Sequence, residues 1–192
     1  MTSSPLILAS GSRYRAELLA RLRLPFTQRS PDVDETARQY ESATALARRL
    51  AACKAEAIAC EYPDAWVIGS DQVASCRGRL LGKPGSREQA IEQLRWMSGQ
   101  QTQFVTAVSL VRGATRYRAL DTTLVRLRKL SRAEIVRYVE AEPALDCAGS
   151  AKIEALGISL CAEVQCLDPT ALIGLPLIAT AKLLRKAGFL LP

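Results

Sequence analysis

The chain has 192 residues, 48% hydrophobic and 23% charged, with 26 Lys and Arg against 19 Asp and Glu for a net charge of +7. That length and mix describe a folded domain that buries roughly 70% of its unfolded surface, and they exclude a disordered chain. Histidine is absent, which excludes Ser-His-Asp and Cys-His catalysis and every imidazole zinc site. Acid–base chemistry then falls to Asp, Glu, Lys, Tyr, Cys or metal-bound water.

In chain order, Leu6-Ile-Leu-Ala reads as a short buried strand, followed by a Ser-Gly-Ser turn and a helix from Arg13 to about Leu22. Asp32 to Ser42 is polar and reads as a loop, and Thr44 to Glu61 is an alanine-rich helix with Leu46, Leu50, Cys53 and Ala57 on one face. Ala65-Trp-Val-Ile-Gly is a central strand ending at Ser70-Asp71-Gln72, followed by turn signals at Arg77-Gly78-Arg79 and Gly82-Lys83-Pro84-Gly85. Ser86 to Gln89 and Ser131 to Glu134 are capping boxes that open helices to about Met97 and Glu140. Between them, Phe104 to Val111 and Thr115 to Leu127 form a long hairpin around Arg112-Gly113. A strand over Ile158 to Ala162 and a helix over Pro176 to Lys186 complete the chain. Strands and helices alternate around one hairpin, so the class is α/β or α+β with a mixed sheet, organised as two lobes of one unit.

The six cysteines, at 53, 60, 76, 147, 161 and 166, contain no C-x-x-C pair. They read as small hydrophobes in a reducing compartment. The start has a short apolar run without a basic n-region, unlike a signal peptide, and the longest apolar runs fall short of a membrane span. A cytoplasmic protein with no membrane partner is expected.

Five groups of residues can carry chemistry. Ser10-Gly11-Ser12-Arg13-Tyr14-Arg15 runs from a strand into a helix N-terminus. It is either a phosphate cradle of free N–H groups, hydroxyls and guanidinium, or an N-cap serine with surface arginines. Asp32-Val33-Asp34-Glu35 offers hard oxygen ligands to a divalent cation, or is a solvated loop. Asp71, at a strand end next to Gly69, is placed to hold a metal or take a proton from water while the glycine admits a ligand; otherwise it forms a turn. Lys54 and Lys83 are point cations for phosphate, or solvated side chains. Arg112, Arg116, Arg118, Arg126, Arg128 and Arg132 make either a nucleic-acid stripe or a solvated sheet face. With aromatics at 5%, the composition argues against nucleic acid.

Leu8-Ala-Ser-Gly-Ser, Asp34-Glu35, Lys54-Ala55, Gly69-Ser70-Asp71, Gly82-Lys83-Pro84, Cys147-Ala-Gly-Ser150 and Gly174-Leu-Pro176 occur in an order and spacing that resemble the Maf family of nucleoside triphosphate pyrophosphatases. The resemblance implies an α/β fold like that of the inosine triphosphate pyrophosphatases, a mixed twisted sheet with flanking helices in two lobes around a cleft. It makes residues 1–192 a single Maf-like domain and allows a homodimer. The implied activity is hydrolysis of a nucleoside triphosphate to the monophosphate and diphosphate with a divalent metal cation, Mg or Mn. Position by position, it implies Asp71 as proton acceptor, Ser10, Arg15, Lys54 and Lys83 toward the phosphates, and Glu35 with Asp71 as metal ligands. Tyr14, Gln72 and Glu154 stand where the branch acting on 7-methyl-GTP carries an aromatic, a Gln and a Glu. The dTTP and UTP branch has Arg, Thr and Gln there. The 7-methyl-GTP branch usually has Trp at the position of Tyr14, and a Pro is usual where this chain has Arg13.

A methylated guanine is cationic, so an aromatic face attracts it by about 0.5–2 kcal/mol. Glu154 offsets its charge and can accept from its N–H edge. The expected substrate is therefore 7-methyl-GTP, in a housecleaning reaction on modified nucleotides. The alternatives are a dTTP/UTP pyrophosphatase of the same family and a basic RNA-binding module without catalysis.

Overall fold

The computed structural model describes residues 4–192; the first three residues of the opening segment lie outside it. Seven strands, β1 (Leu6–Ala9), β2 (Thr27–Arg29), β3 (Trp66–Cys76), β4 (Arg79–Leu81), β5 (Gln101–Arg112), β6 (Thr115–Leu127) and β7 (Cys161–Gln165), form one sheet. Its order is β2-β1-β3-β5-β6-β7, with β4 paired to β3. β1 runs parallel to both β2 and β3, whereas β4 pairs with β3 and β7 with β6 antiparallel. The sheet is therefore mixed, as expected. The helices are α1 (Arg13–Ala20), α2 (Ala43–Glu61), α3 (Arg87–Met97), α4 (Arg132–Ala141) and α5 (Leu177–Lys186).

The chain divides into two compact units. Among the described residues, the first comprises 4–71, 106–121 and 168–192. Its strands alternate in the period of two that a sheet imposes. Leu6, Leu8, Trp66, Ile68, Val108 and Leu110 pack with Leu18 and Leu19 of α1 and Leu183 and Leu184 of α5. The intervening Ile7, Ala9, Val67 and Val111 pack with Ala55 and Ile58 of α2. Both faces are thus buried, so β1 and the start of β3 are continuous apolar runs. Asp168 orders the last helix: its carboxylate accepts from the Thr170 N–H at 2.9 Å and the Ile178 N–H at 2.7 Å. The second unit holds residues 72–105 and 122–167, where α3 packs against α4.

Boundaries differ from the sequence reading at the end of β3 and at the start of the last strand. β3 does not stop at Asp71–Gln72 but continues to Cys76. Val73, Ala74 and Cys76 are buried, and β4 pairs along Ala74–Cys76; this pairing outweighs the low strand propensity of Asp and Gln. Arg77 (φ 52°) and Gly78 (φ 78°) make a two-residue hairpin turn, a geometry in which glycine is unstrained. The last strand begins at Cys161, because Leu156–Leu160 is a 3₁₀ turn. Gly157 is obligatory in that turn, since a Cβ would lie 2.4 Å from the Lys152 carbonyl oxygen.

The helix starts follow their caps. Ser12, Ser42, Ser86 and Ser131 each accept the backbone N–H three residues on. At Ser131 the Glu134 side chain returns the bond and completes the capping box. No helix among the described residues is long and apolar enough to cross a membrane.

Candidate active site

The first unit gathers five of the residues singled out from sequence. β1 ends at Ala9, and Ser10 begins the turn into α1. The Ser10 hydroxyl accepts from the Ser12 N–H at 3.1 Å and from Arg15 Nη1 at 3.3 Å. Gln28 on β2 donates to the Ser10 carbonyl at 2.7 Å and fixes the turn from outside. Arg15, on the first turn of α1, reaches Asp71 Oδ1 at 4.0 Å.

Lys54 projects from α2 and is 5% exposed. Its ammonium contacts Asp71 Oδ1 at 2.6 Å and Glu35 Oε1 at 2.5 Å. The sequence suggested a lysine facing phosphate; the structure places it between two carboxylates. A buried ammonium needs compensating charge, and these two carboxylates supply it. Glu35 remains half in solvent.

The Glu35 loop is held at its base. Asp34 accepts from the Thr36 N–H at 2.9 Å, an Asx turn. Those bonds to Thr36 hold the Asp34 carboxyl below its usual range. Arg49 on α2 donates to the Thr36 carbonyl at 2.9 Å and grips Glu41 through Nε and Nη2, both at 2.8 Å. Asp32 and Asp34 therefore do not join the cluster as ligands: Asp34 shapes the loop, and Asp32 is exposed.

Burial pushes the Asp71 carboxyl above its ordinary value, while Lys54 and Arg15 pull it down. Burial likewise lowers Arg15, against the attraction of Asp71 and Glu35. Two cations and two carboxylates leave the cluster near neutrality.

Ser70 and Gly174 have roles not read from sequence. The Ser70 hydroxyl, fully buried, lies 2.8 Å from the Ala107 carbonyl and 2.9 Å from that of Gly174. The Gly174 carbonyl also accepts from Arg15 Nε at 2.9 Å. Ser70 and Arg15 thus share one anchor. Gly174 has φ +124°, where a side chain is strained. Both stand in the Gly-Ser-Asp and Gly-Leu-Pro strings, but nothing local says that residues 104 apart meet.

Gly69 has a different purpose from the one expected. A Cβ there would lie 2.3 Å from the Ala51 carbonyl oxygen and 2.6 Å from the Ala55 nitrogen. It admits α2 rather than a ligand, and this close approach carries Lys54 to Asp71.

Tyr14 is half-buried on α1, with the Arg13 guanidinium 4.9 Å above its ring. Gln72 follows Asp71 on β3 and is half-buried, and Lys83 is exposed in the loop after β4. Glu154 is exposed as a residue, yet desolvation of its carboxyl raises its pKa, and the nearby charges of Glu142 and Asp146 add to the effect.

The arginines of the hairpin do not form a free stripe. Arg116 and Arg118 face Glu56, Arg126 pairs with Glu163, Arg128 with Glu134, and Arg112 lies over Trp66.

The family model described as Maf-like protein matches residues 5–187. This chain belongs to the Maf family. It is 59% identical over 187 residues to the 7-methyl-GTP pyrophosphatase of Xanthomonas axonopodis pv. citri, covering 97% of this chain and 98% of that one. It is 52% identical to the 7-methyl-GTP pyrophosphatase of Aromatoleum aromaticum over the whole of both chains. A solved structure, of the Staphylococcus aureus Ham1 protein, matches 65% of this Maf chain and 72% of its own at 18% identity and a TM-score of 0.48.

Proposed function

We propose that this Maf protein hydrolyses 7-methyl-GTP to 7-methyl-GMP and diphosphate, acting on the modified nucleotide in a housecleaning role. The reading rests on one constellation above all: Asp71, 6% exposed, held by Lys54 and Arg15 beside the Ser10 turn. A buried carboxylate with a raised pKa is a stronger base than an exposed one, and the groups beside it are hydrogen-bond donors suited to phosphate oxygens.

Ser10 and Arg15 bind and orient the triphosphate, with Lys83 as a further cation for it. Arg15 keeps its direction through the Gly174 carbonyl. A water oxygen attacks the α-phosphorus, the bond from that phosphorus to the bridging oxygen breaks, and diphosphate leaves. Asp71 accepts the proton of the attacking water. Lys54 moves between its two carboxylates and the growing negative charge, where a positioned cation stabilises the transition state. No covalent intermediate is needed.

The donor set also suits a divalent cation. Glu35 and Asp71 direct hard oxygens at one point, now the Lys54 ammonium. Mg²⁺ commonly uses one or two carboxylates and completes its shell with substrate phosphates and water. Glu35 and Asp71 would hold the ion, which would supply charge neutralisation on the phosphate oxygens.

Tyr14, Gln72 and Glu154 read the base. The Tyr14 ring already accepts a cation, from Arg13. Desolvation first, and then Glu142 and Asp146, raise the pKa of Glu154, and a cationic base beside this carboxylate would favour its ionised form. A turnover panel of 7-methyl-GTP, GTP, UTP, dTTP and CTP with Mg²⁺, Mn²⁺ or EDTA, scored for diphosphate apart from orthophosphate, tests this. Metal-dependent diphosphate release should be strongest on 7-methyl-GTP. Preference for UTP and dTTP would overturn the roles of the three base-reading residues, and no turnover from folded protein would overturn the enzyme.

A further inference from the structure

Glu154 belongs to the second unit, and one side chain of α4 fixes the segment that carries it. Glu154 itself is exposed, but Ala151 and Ile153 before it are buried. The Lys152 carbonyl accepts from the Ala155 N–H at 3.1 Å and the Gly157 N–H at 2.9 Å. These bonds close a tight loop with Glu154 inside it. The Lys152 N–H donates to the Tyr138 hydroxyl at 3.0 Å. Both polar groups of the Lys152 backbone are thus engaged, two residues before the carboxylate.

Tyr138 is 4% exposed and shares the buried face of α4 with Ile135 and Val139. A phenylalanine ring would fill the same place. The hydroxyl adds a desolvation cost that a buried polar group must recover through a hydrogen bond, and the Lys152 N–H provides one. Burial, with smaller effects from Glu142, Cys147 and Glu154, pushes the phenol up to about 12. It therefore stays neutral and able to hold the loop at neutral pH. The Glu154 carboxylate accepts its own backbone N–H, so its direction follows the backbone of the loop. An exposed carboxylate that is placed beforehand loses less freedom when a ligand arrives.

We propose that Tyr138 is a positioning residue for base selection: its hydroxyl holds the Lys152–Gly157 loop so that Glu154 meets the cationic base of 7-methyl-GTP already in place. The inference rests on Glu154 as the base-reading carboxylate and extends that reading to a residue that does not itself touch the substrate.

The test compares wild type and Tyr138→Phe on 7-methyl-GTP and GTP, which differ by one methyl group and its charge. The ratio of their kcat/KM values should fall about two- to tenfold, the span of one net hydrogen bond, and mainly through KM for 7-methyl-GTP. A merely structural role lowers both substrates alike and leaves the ratio unchanged. In a Glu154→Gln background, where the charge is already gone, Tyr138→Phe should leave the ratio as it is. Cooperative urea transitions establish that the variants fold. Hydrogen exchange followed by NMR adds a readout that needs neither turnover nor a variant: the wild-type Lys152 amide should be protected. An unchanged ratio in Tyr138→Phe, an equal fall in both backgrounds, or a wild-type Lys152 amide exchanging like that of a free loop would overturn the proposal. A wild type without preference for 7-methyl-GTP would overturn the role of Glu154 and this inference together, whereas a wild-type preference retained in Tyr138→Phe would overturn this inference alone.

Discussion

Asp71 sits under opposed forces, and the balance sets its chemistry. Burial favours its neutral form, Lys54 and Arg15 favour the carboxylate, and burial prevails. Asp71→Asn should lower kcat about 10²–10⁴-fold with the urea midpoint at neutral pH little changed or raised. The wild-type acid limb of kcat/KM should lie above the ordinary aspartate value of 3.8. The sign for stability follows from the same shift. Because the folded state holds the proton more tightly than the unfolded chain, stability falls as pH rises from the ordinary value through the raised one. A urea series across that window should show the fall in wild type and its loss in Asp71→Asn. Gly69 answers to packing instead. Gly69→Ala forces a methyl onto the α2 backbone and should destabilise the fold by about 1–3 kcal/mol, read as a lower urea midpoint. An unchanged midpoint would show that α2 does not need this approach.

At the scale of elements, the loop before α2 explains how an exposed segment delivers Glu35. Glu41 takes both arms of Arg49 and the Arg38 N–H, and these partners hold its pKa down to about 2 from 4.5. A depressed carboxylate contributes stability that is present above pH 4.5 and lost as pH falls toward 2. Glu41→Gln should flatten that acid limb in a thermal-melt series and raise KM with less effect on kcat, because Glu35 loses its support. Equal loss of both parameters would place Glu41 elsewhere in the mechanism. The loop itself was visible as a polar stretch, and α2 as an alanine-rich helix with one apolar face. The five principal helices and the long strands were legible because each buries a periodic face, and α1 to α4 also start behind a serine cap. The end of β3 was not, since pairing with β4 decides it. The three-residue β2 and β4 carry too few residues for a period to show. Ser10, Arg15, Glu35, Lys54 and Asp71 were legible as residue types in motif strings. Their partnerships were not, because the Ser70–Gly174 and Lys54–Glu35 contacts are made by tertiary packing.

For the whole molecule, a net charge of +7 invites two readings that salt separates. If the charge served nucleic acid, the arginines of the hairpin would stand free to neutralise phosphates. Instead Arg116, Arg118, Arg126 and Arg128 face carboxylates of the chain itself, and each such pair removes a contact that counterion release would reward. The excess charge still raises the local concentration of a small polyanion and steers it. Increasing salt should therefore lower kcat/KM for 7-methyl-GTP while leaving kcat nearly constant, because screening acts on encounter and not on the bound complex. Oligonucleotide binding, followed by fluorescence anisotropy, should be weak at physiological salt, in the range of about 10⁻⁴–10⁻⁶ M that general electrostatics supplies. Nanomolar oligonucleotide affinity together with salt-insensitive turnover would reverse the argument, since the field would then serve a macromolecular partner rather than the nucleotide.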